Sequence, residues 1–181
     1  MENKLTKPKI LEISNKIIQK ANSLYGTHLK LADVNIRDNL GKNRKGFQII
    51  GTAQVKAGKY YLNLSSDAIE SSPDHVVLDT IPHEIAHMVC FDLDTQGQYT
   101  DTIRHGAQWK KIAKSLGSDG MAASEISLPK RGIKQFAYRT TNGNIQYVNK
   151  KIHDNIQKKF LVYKTKSGSR ITAASFIQEI N

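Results

Sequence analysis

Cysteine is nearly absent from this 181-residue sequence, which contains only Cys90. A single cysteine cannot form an intramolecular disulfide, so the composition favours a reducing, cytoplasmic setting. Long apolar runs are absent too, since no stretch approaches the roughly 20 residues that a membrane-spanning helix needs. The N-terminus also lacks the apolar segment of a signal peptide, and we therefore expect an intracellular protein with no membrane partner.

Acidic residues are scarce in the last part of the chain. Residues 130–181 hold 11 lysines and arginines against 2 acidic residues, a balance of +9, whereas residues 1–129 balance at +2. A tail with this charge favours polyanions, and we expect nucleic acid first and anionic surfaces second. The simpler interpretation is a solvated basic face. The asymmetry suggests that the two regions have separate tasks.

The most informative stretch is residues 78–90, which read LDTIPHEIAHMVC. Histidines four residues apart lie one turn above each other on a helix, so His83 and His87 can bind one metal ion. Glu84 is rotated by about 100° from His83 and can reach a water molecule on that metal. This is the HExxH pattern of zinc hydrolases. The alternative is an ordinary amphipathic helix with two surface histidines.

The residues before this stretch predict one helix and three strands. Apolar residues at three- and four-residue steps predict a helix over residues 8–24, with Gly26 as its C-terminal cap. Strand-type residues predict strands over 34–37, 46–55 and 59–64, the last two joined by a tight turn at Ala57-Gly58.

The helix that carries the motif is expected to start near residues 71–74 and to end near Phe91. Its apolar side should pack on the sheet while the histidines face a cleft. This apolar side comprises Val77, Leu78, Ile81, Ile85, Met88 and Val89. Pro82 removes one helical hydrogen bond, so either the helix kinks there or a new helix starts there.

A third metal ligand is expected from the next helix. Apolar periodicity predicts a helix from about His105 to Leu116, capped by Gly117, with His105 at the start of its apolar face. A catalytic zinc keeps three protein ligands and one water, so His83, His87 and His105 would complete the protein's share. Zinc lowers the pKa of its water toward ~7, and Glu84 would be the general base that takes the water's proton. Tyr99 or Arg104 could stabilise the oxyanion.

The basic tail is predicted to be a small β unit that follows a linker over residues 118–134. Strands are expected over 135–138, 145–148 and 160–164, with turns at residues 142–144 and 167–169. The last residues, 173–180, are predicted to form a short helix. The remaining histidines, His28, His75 and His153, are interpreted as surface residues, and Cys90 as a small buried residue.

These residues resemble the SprT-like metalloproteases, a family that includes the Spartan DNA-dependent proteases. The matches are the HExxH motif, its spacing to His105, the run HGAQW over 105–109 and the helix end at Leu116-Gly117; Asp79-Thr80 also fits. The likeness covers about residues 7–120. It implies an α+β, zincin-like protease core with one zinc ion on three histidines and Glu84 as general base. It also implies cleavage of DNA-bound or DNA-crosslinked proteins, often stimulated by single-stranded DNA.

The tail departs from the zinc ribbon that bacterial members of this family carry. The runs YRTTNG over 138–143 and YKTKSG over 163–168 keep the framework, but Thr140, Asn142, Thr165 and Ser167 stand where cysteines would be. Hydroxyls and an amide are poor zinc ligands beside thiolate, so we expect no structural zinc there. The small core of this unit is predicted to comprise Phe136, Tyr147, Phe160 and Tyr163. Alternatively, Tyr138, Tyr147 and Tyr163 could be stacking platforms for single-stranded nucleic acid.

We therefore expect a SprT-like metalloprotease domain over residues 1–129 and a basic, metal-free, ribbon-like unit over 130–181. The predicted core has an N-terminal helix, a three-stranded sheet, the HExxH helix and a third-ligand helix. The predicted function is zinc-dependent hydrolysis of peptide bonds in nucleic-acid-associated proteins, with DNA bound through the tail. The alternatives are a nucleic-acid- or protein-binding module with little peptidase activity, and a hydrolase with a non-peptide substrate.

Overall fold

A computed structural model describes residues 5–38, 40–43, 48–99, 101, 104–121, 133–165 and 168–180. Contacts within the chain divide it into two compact units. The first comprises Met1–Gly41 and Ile49–Ser124, and the second comprises Lys42–Gln48 and Glu125–Asn181. The predicted domain boundary at residue 129 lies outside the described residues and stays a prediction.

The first unit opens with helix α1, Lys7–Tyr25, which confirms the predicted N-terminal helix. Thr6 is its N-cap, and Gly26 closes it in the left-handed conformation at φ 64°, which a glycine adopts without steric cost. The buried face of α1 carries Ile10, Ser14, Ile18 and Ala21. This face packs the helix against the elements that follow.

Three strands form one sheet: β1, Leu31–Arg37; β2, Gly51–Lys56; and β3, Lys59–Ser65. Their order is β1-β3-β2, with β1 parallel and β2 antiparallel to β3, and the three-stranded sheet is confirmed. Strand β2 starts at Gly51 and not at residue 46, while residues 44–47 lie outside the described part. Ala57 and Gly58 have φ values of 50° and 70°, as the predicted tight hairpin turn requires.

A short helix that the sequence did not predict, α2, Ser66–Ser71, leads into the motif helix α3, Asp74–Thr95. Helix α3 continues through Pro82 without a break, so neither a helix end nor a new helix occurs there. Leu78, whose carbonyl loses its helical partner to the proline, is 39% exposed, where water can replace that partner.

The apolar side of α3 is buried as predicted at five of its six positions. Val77, Ile81, Ile85, Met88 and Val89 are each at most 1% exposed. Leu78 was wrongly placed on this side, because the 100° step from Val77 carries it past the edge of the buried face. Burial of the other five fixes the rotation of the helix and therefore the direction of its histidines.

Helix α4, Ala107–Leu116, follows with Gly106 as N-cap and Gly117 as C-cap. It starts two residues later than predicted, so His105 stands in the turn before the helix and not on its apolar face. That face is otherwise as predicted, with Trp109, Ile112, Ala113 and Leu116 buried. The unit is thus a mixed α+β structure.

The second unit contains a three-stranded sheet and a helix. Strands β4, Gln135–Arg139, and β5, Ile145–Val148, are confirmed and pair antiparallel. Helix α5, Lys150–Lys159, was not predicted. The expected strand over 160–164 shrinks to β6, Tyr163–Lys164, which pairs with β7, Arg170–Ile171. The predicted C-terminal helix is wrong: a 3₁₀ turn, Ala173–Ser175, leads into strand β8, Phe176–Ile180, which pairs with β4.

The core of this unit also differs from the prediction. It comprises Phe136, Tyr138, Val148, Ile156 and Ile171. Phe160 and Tyr163, predicted as core, are 80% and 39% exposed, because helix α5 supplies Ile156 in their place. Tyr138 and Tyr147 are buried and so cannot be stacking platforms. His153 is not a plain surface residue, since its ring stacks on Phe136 at 3.8 Å.

Among the described residues, no helix combines the length and the apolar character needed to cross a membrane.

Candidate metal centre

Three histidines from two elements meet at one point of the first unit. Helix α3 places His83 and His87 one turn apart, and the turn before α4 brings His105 to them. One ring nitrogen from each lies within 4.8 Å of the other two, and the Nε2 atoms of His87 and His105 are 3.0 Å apart. Small rotations of the rings would let one ion reach all three. The structure therefore brings together the three residues that the sequence selected.

Trp109 forms the floor of this cluster. The side chain is fully buried, and its ring centre lies 4.7 Å from that of His83, 5.2 Å from His87 and 4.4 Å from His105. An indole ring in contact with all three imidazoles restricts their rotation. The apolar pattern of the sequence predicts Trp109 only as part of the buried face of α4.

Each of the three imidazoles is held neutral. Burial lowers the pKa of His83 to about 4 and that of His87 to about 3. The neighbouring imidazoles lower both further, as does Arg104 at His87, while Asp119 opposes the shift at His83. Burial also lowers the pKa of His105, as do Arg104 and Lys110. A neutral imidazole has a lone pair to offer, so three of them at this spacing fit a divalent metal ion such as zinc.

A backbone carbonyl lies near His83. The Met121 carbonyl, in the segment that follows α4, opposes the lowering of the pKa of the His83 ring. Asp79, one turn before His83 on α3, holds the same segment by accepting the Asp119 N–H at 2.7 Å. Outer contacts of this kind fix the tautomer and the direction of a metal-binding histidine.

Glu84 lies beside the cluster and is buried. Its Oε2 accepts the Ala53 N–H at 2.8 Å, which ties α3 to strand β2, and its Oε1 lies 3.9 Å from Nε2 of His83. Burial raises the pKa of Glu84 to about 7, opposed by the Ala53 hydrogen bond and by Arg104. A carboxyl group with this pKa can exchange protons near neutral pH.

The two candidate oxyanion residues in the loop before His105, Arg104 and Tyr99, have different surroundings. Arg104 lies close enough to oppose the rise in the pKa of Glu84 and to lower the pKa of His87. Tyr99 instead lies beside Cys90 and Asp101, and burial together with these two residues raises the pKa of its hydroxyl. Cys90 is buried as predicted, and burial raises the pKa of its thiol to about 11, which keeps the thiol protonated.

A family model for the SprT-like family matches residues 14–129, which is more than half of the chain. The chain belongs to the SprT-like family. This membership agrees with the resemblance that the sequence motifs carry, and the SprT-like family is generally one of metalloproteases. No curated protein matches the SprT-like chain in sequence.

The site of this SprT-like chain also contains contacts that sequence reasoning missed. The Met121 carbonyl and the Ala53 N–H are backbone groups, so no residue type announces them. Asp101 is a third omission, and its one sequence signal is the glycine that follows His105. His28 and His75 are exposed and take no part in the described cluster.

Proposed function

We propose that this chain is a zinc-dependent endopeptidase with a zincin-like core over residues 1–129. The supporting observation is the neutral triad of His83, His87 and His105 with the buried carboxyl of Glu84 beside it. A carboxyl that only stabilised the fold would not need a place next to three clustered imidazoles. Residue pattern, site geometry and family all favour the same chemistry.

His83, His87 and His105 would hold the zinc ion. When bound, zinc would supply Lewis acidity toward a water molecule and the substrate carbonyl. Glu84 takes the proton from the attacking water and later delivers it to the leaving amine, a role that suits its raised pKa. Arg104 is the better placed of the two loop residues to stabilise negative charge, because Tyr99 is engaged by Cys90 and Asp101.

Strand β2 favours a peptide over a non-peptide substrate. It lies at an edge of the described sheet, and its Ala53 N–H reaches Glu84 directly. An extended peptide can add to such an edge through main-chain hydrogen bonds. A scissile bond in a peptide held there would lie near the carboxyl of Glu84.

We further propose that the unit over residues 130–181 binds single-stranded nucleic acid, and that the substrates are nucleic-acid-associated proteins. A groove of about 380 Å³ in this unit is lined by two arginines, four hydroxyl residues and three apolar residues. They are Arg139, Arg170, Thr140, Thr141, Thr172, Ser175, Ala174, Phe176 and Ile177. Among the described residues, no carboxylate lines the groove. Arginines and hydroxyls suit phosphate oxygens, and the 38% exposed Phe176 can stack on a base.

Metal analysis combined with a cleavage assay tests the peptidase. The purified chain should contain one equivalent of zinc and cleave itself or an unfolded protein, with activity lost on chelation and restored by zinc. Single-stranded DNA should accelerate the reaction on a DNA-bound protein. Zinc binding without turnover on any protein would favour the alternative, a binding module on a protease-like scaffold.

Fluorescence anisotropy with a labelled oligonucleotide tests the nucleic-acid proposal. Arg139→Ala with Arg170→Ala should weaken binding and lower the slope of log affinity against log salt by about 1.4, because two phosphate contacts are lost. Lys151→Ala with Lys159→Ala removes equal charge from exposed positions of helix α5 and is the matched control. Equal losses in both double variants would contradict binding in the groove.

A further inference from the structure

Helix α4 begins without a cap of its own. Its N-cap residue is Gly106, which has no side chain to accept a hydrogen bond, and its first helical bond runs from Lys110 N–H to the Gly106 carbonyl. The N–H groups of the first turn therefore need acceptors from elsewhere. His105 immediately precedes this uncapped end, so the position of His105 depends on how the end is held.

Asp101 supplies the missing acceptor from the loop. Its Oδ2 accepts the Gln108 N–H at 2.7 Å and the Trp109 N–H at 3.1 Å. A carboxylate at a helix N-terminus also interacts favourably with the helix dipole. Asp101 thus binds the first turn of α4, directly beside His105.

Glycine is needed at position 106 because it leaves space for the Asp101 carboxylate. The backbone conformation at this position does not require glycine. Its φ of −71° is open to any residue, but a Cβ at this position would lie 2.5 Å from both Cγ and Oδ2 of Asp101. The carboxylate can reach the helix end only because residue 106 lacks a side chain. The absence of a side chain at the residue after His105 therefore leaves the space that the Asp101 carboxylate occupies.

The same carboxylate is linked to the helix that carries the other two histidines. Burial raises the pKa of the Tyr99 hydroxyl, and Tyr99 lies close enough to Cys90 and to Asp101 for both to raise it further. Cys90 lies on α3 nearly one turn beyond His87. A continuous set of contacts therefore runs from α3 through Tyr99 and Asp101 to the start of α4. This set fixes the approach of His105 to His83 and His87.

We propose that Asp101 is a positioning residue that sets the affinity of the three-histidine site for its metal, an inference that rests on the proposed zinc function. Loss of an outer contact that orients a ligand costs about 10- to 100-fold in metal affinity. A carboxylate that merely capped a helix would affect stability but not the affinity of the folded protein.

Zinc affinity, measured by competition with a chelator on the full chain, tests this role. Asp101→Ala should bind zinc about 10- to 100-fold more weakly and alter the visible spectrum of the cobalt-substituted protein. Asp101→Asn keeps an acceptor oxygen and should recover part of the affinity. Thr6→Ala is the control, because it removes the cap of α1 in the same unit and should leave zinc affinity unchanged. Thermal unfolding of the metal-free proteins separates stability from affinity.

A double-mutant cycle sharpens the test. Gly106→Ala alone should weaken zinc binding, since its Cβ would displace the Asp101 carboxylate, but it should cost little more once Asp101 is alanine. Additive losses, wild-type affinity in Asp101→Ala, or an equal loss in Thr6→Ala would overturn the inference while leaving the proposed function intact. A wild-type chain that binds no zinc would overturn both.

Discussion

His105 differs from the other two histidines of the cluster because it stands in a turn and not on a helix. The helix repeat alone sets the spacing of His83 and His87. The position of His105 depends instead on a loop, on the capping of α4 and on the ring of Trp109 beneath it. The third position of the site is therefore the one most sensitive to its surroundings.

Replacing His105 with alanine should remove most of the bound zinc, because two imidazoles on one helix leave the ion half solvated. Zinc content after dialysis measures this. His75→Ala is the matched control, since His75 is exposed on the same helix, and should retain a full equivalent. A full equivalent in His105→Ala would mean that another group is the third ligand.

Much of the candidate site could be predicted because side-chain identity and helical spacing carry it. His83, Glu84 and His87 follow from their spacing, whereas the sequence places His105 on the apolar face of α4 and the structure brings it to the site from the turn before that helix. The contacts that orient these residues could not be predicted in the same way. The Met121 carbonyl and the Ala53 N–H are main-chain groups that side-chain identity does not mark, so only tertiary structure selects them.

At the scale of elements, the contact between β2 and α3 controls the position of Glu84. Gly51 on β2 faces α3 so closely that an added Cβ would lie 2.5 Å from Cγ2 of Thr80 and 3.2 Å from Cγ of Glu84. The Ala53 hydrogen bond to Glu84 depends on this approach. The strand and the helix therefore act together in placing the carboxyl group.

Gly51→Ala should destabilise the protein by about 1–3 kcal/mol through overpacking and should lower cleavage by moving Glu84. Adding Thr80→Ser removes the nearest methyl group while keeping the hydroxyl that bonds to the Val76 carbonyl. The double variant should recover much of the stability in chemical denaturation. Unfolding of Gly51→Ala at the denaturant midpoint of the wild type would contradict the close packing of β2 on α3.

The second unit carries a histidine whose protonation should weaken it. Burial lowers the pKa of His153 below 6.5, with smaller opposing effects from Asp154 and Glu179 and a further lowering from Lys150 and Lys158. The folded unit thus favours the neutral ring, which stacks on Phe136 and pairs with the Tyr138 hydroxyl at 2.8 Å. The neutral His153 ring contributes to the free energy of unfolding above pH 6.5, and this contribution is lost as the pH falls through the pKa of His153 in the folded state.

An NMR titration of the His153 ring should therefore give a midpoint below 6.5. Thermal unfolding of the second unit can be followed by the β4 and β5 amide signals. The wild type should lose thermal stability over the same pH range, and His153→Gln should lose less. A midpoint at or above 6.5 would contradict the burial of the ring.

The elements that the sequence mispredicted lie in this same unit. Helix α5 has only Ile152 and Ile156 for an apolar face among lysines, so its periodicity is weak, although the Asn149 side chain caps it by accepting the Ile152 N–H at 3.0 Å. Strand β8 reads as a helix locally, but pairing with β4 decides its conformation. The secondary structure of a short segment with few apolar residues depends on the segments it packs or pairs with, which can be far away in sequence.

At the scale of the whole molecule, the division into two compact units matches the division of charge. The unit with the histidine cluster has 13 basic and 13 acidic residues and is neutral, while the second unit has 14 basic and 3 acidic residues and carries +11. Catalysis needs a buried, pre-organised site, whereas attraction of a polyanion needs exposed charge. Under the proposed function, a chain with these two parts would concentrate protein substrates that are already bound to nucleic acid.

Zinc should stabilise the chain, because the metal binds only where the three histidines are assembled. Zinc at 100 times its dissociation constant should add about 2.7 kcal/mol to the free energy of unfolding. Thermal unfolding with and without zinc, followed by Trp109 fluorescence, measures the effect in the first unit. An unfolding temperature that zinc leaves unchanged would show that the folded chain binds zinc no more tightly than the unfolded chain does.

The central claim is that Glu84 performs proton transfer at a metal site that the histidines hold without it. Zinc content and cleavage rate should therefore be measured on the same preparations of the wild type and of Glu84→Gln. Both proteins should contain one equivalent of zinc, and Glu84→Gln should cleave at least 100-fold more slowly, about the size of a general-base contribution. Cleavage by Glu84→Gln at the wild-type rate would contradict this claim.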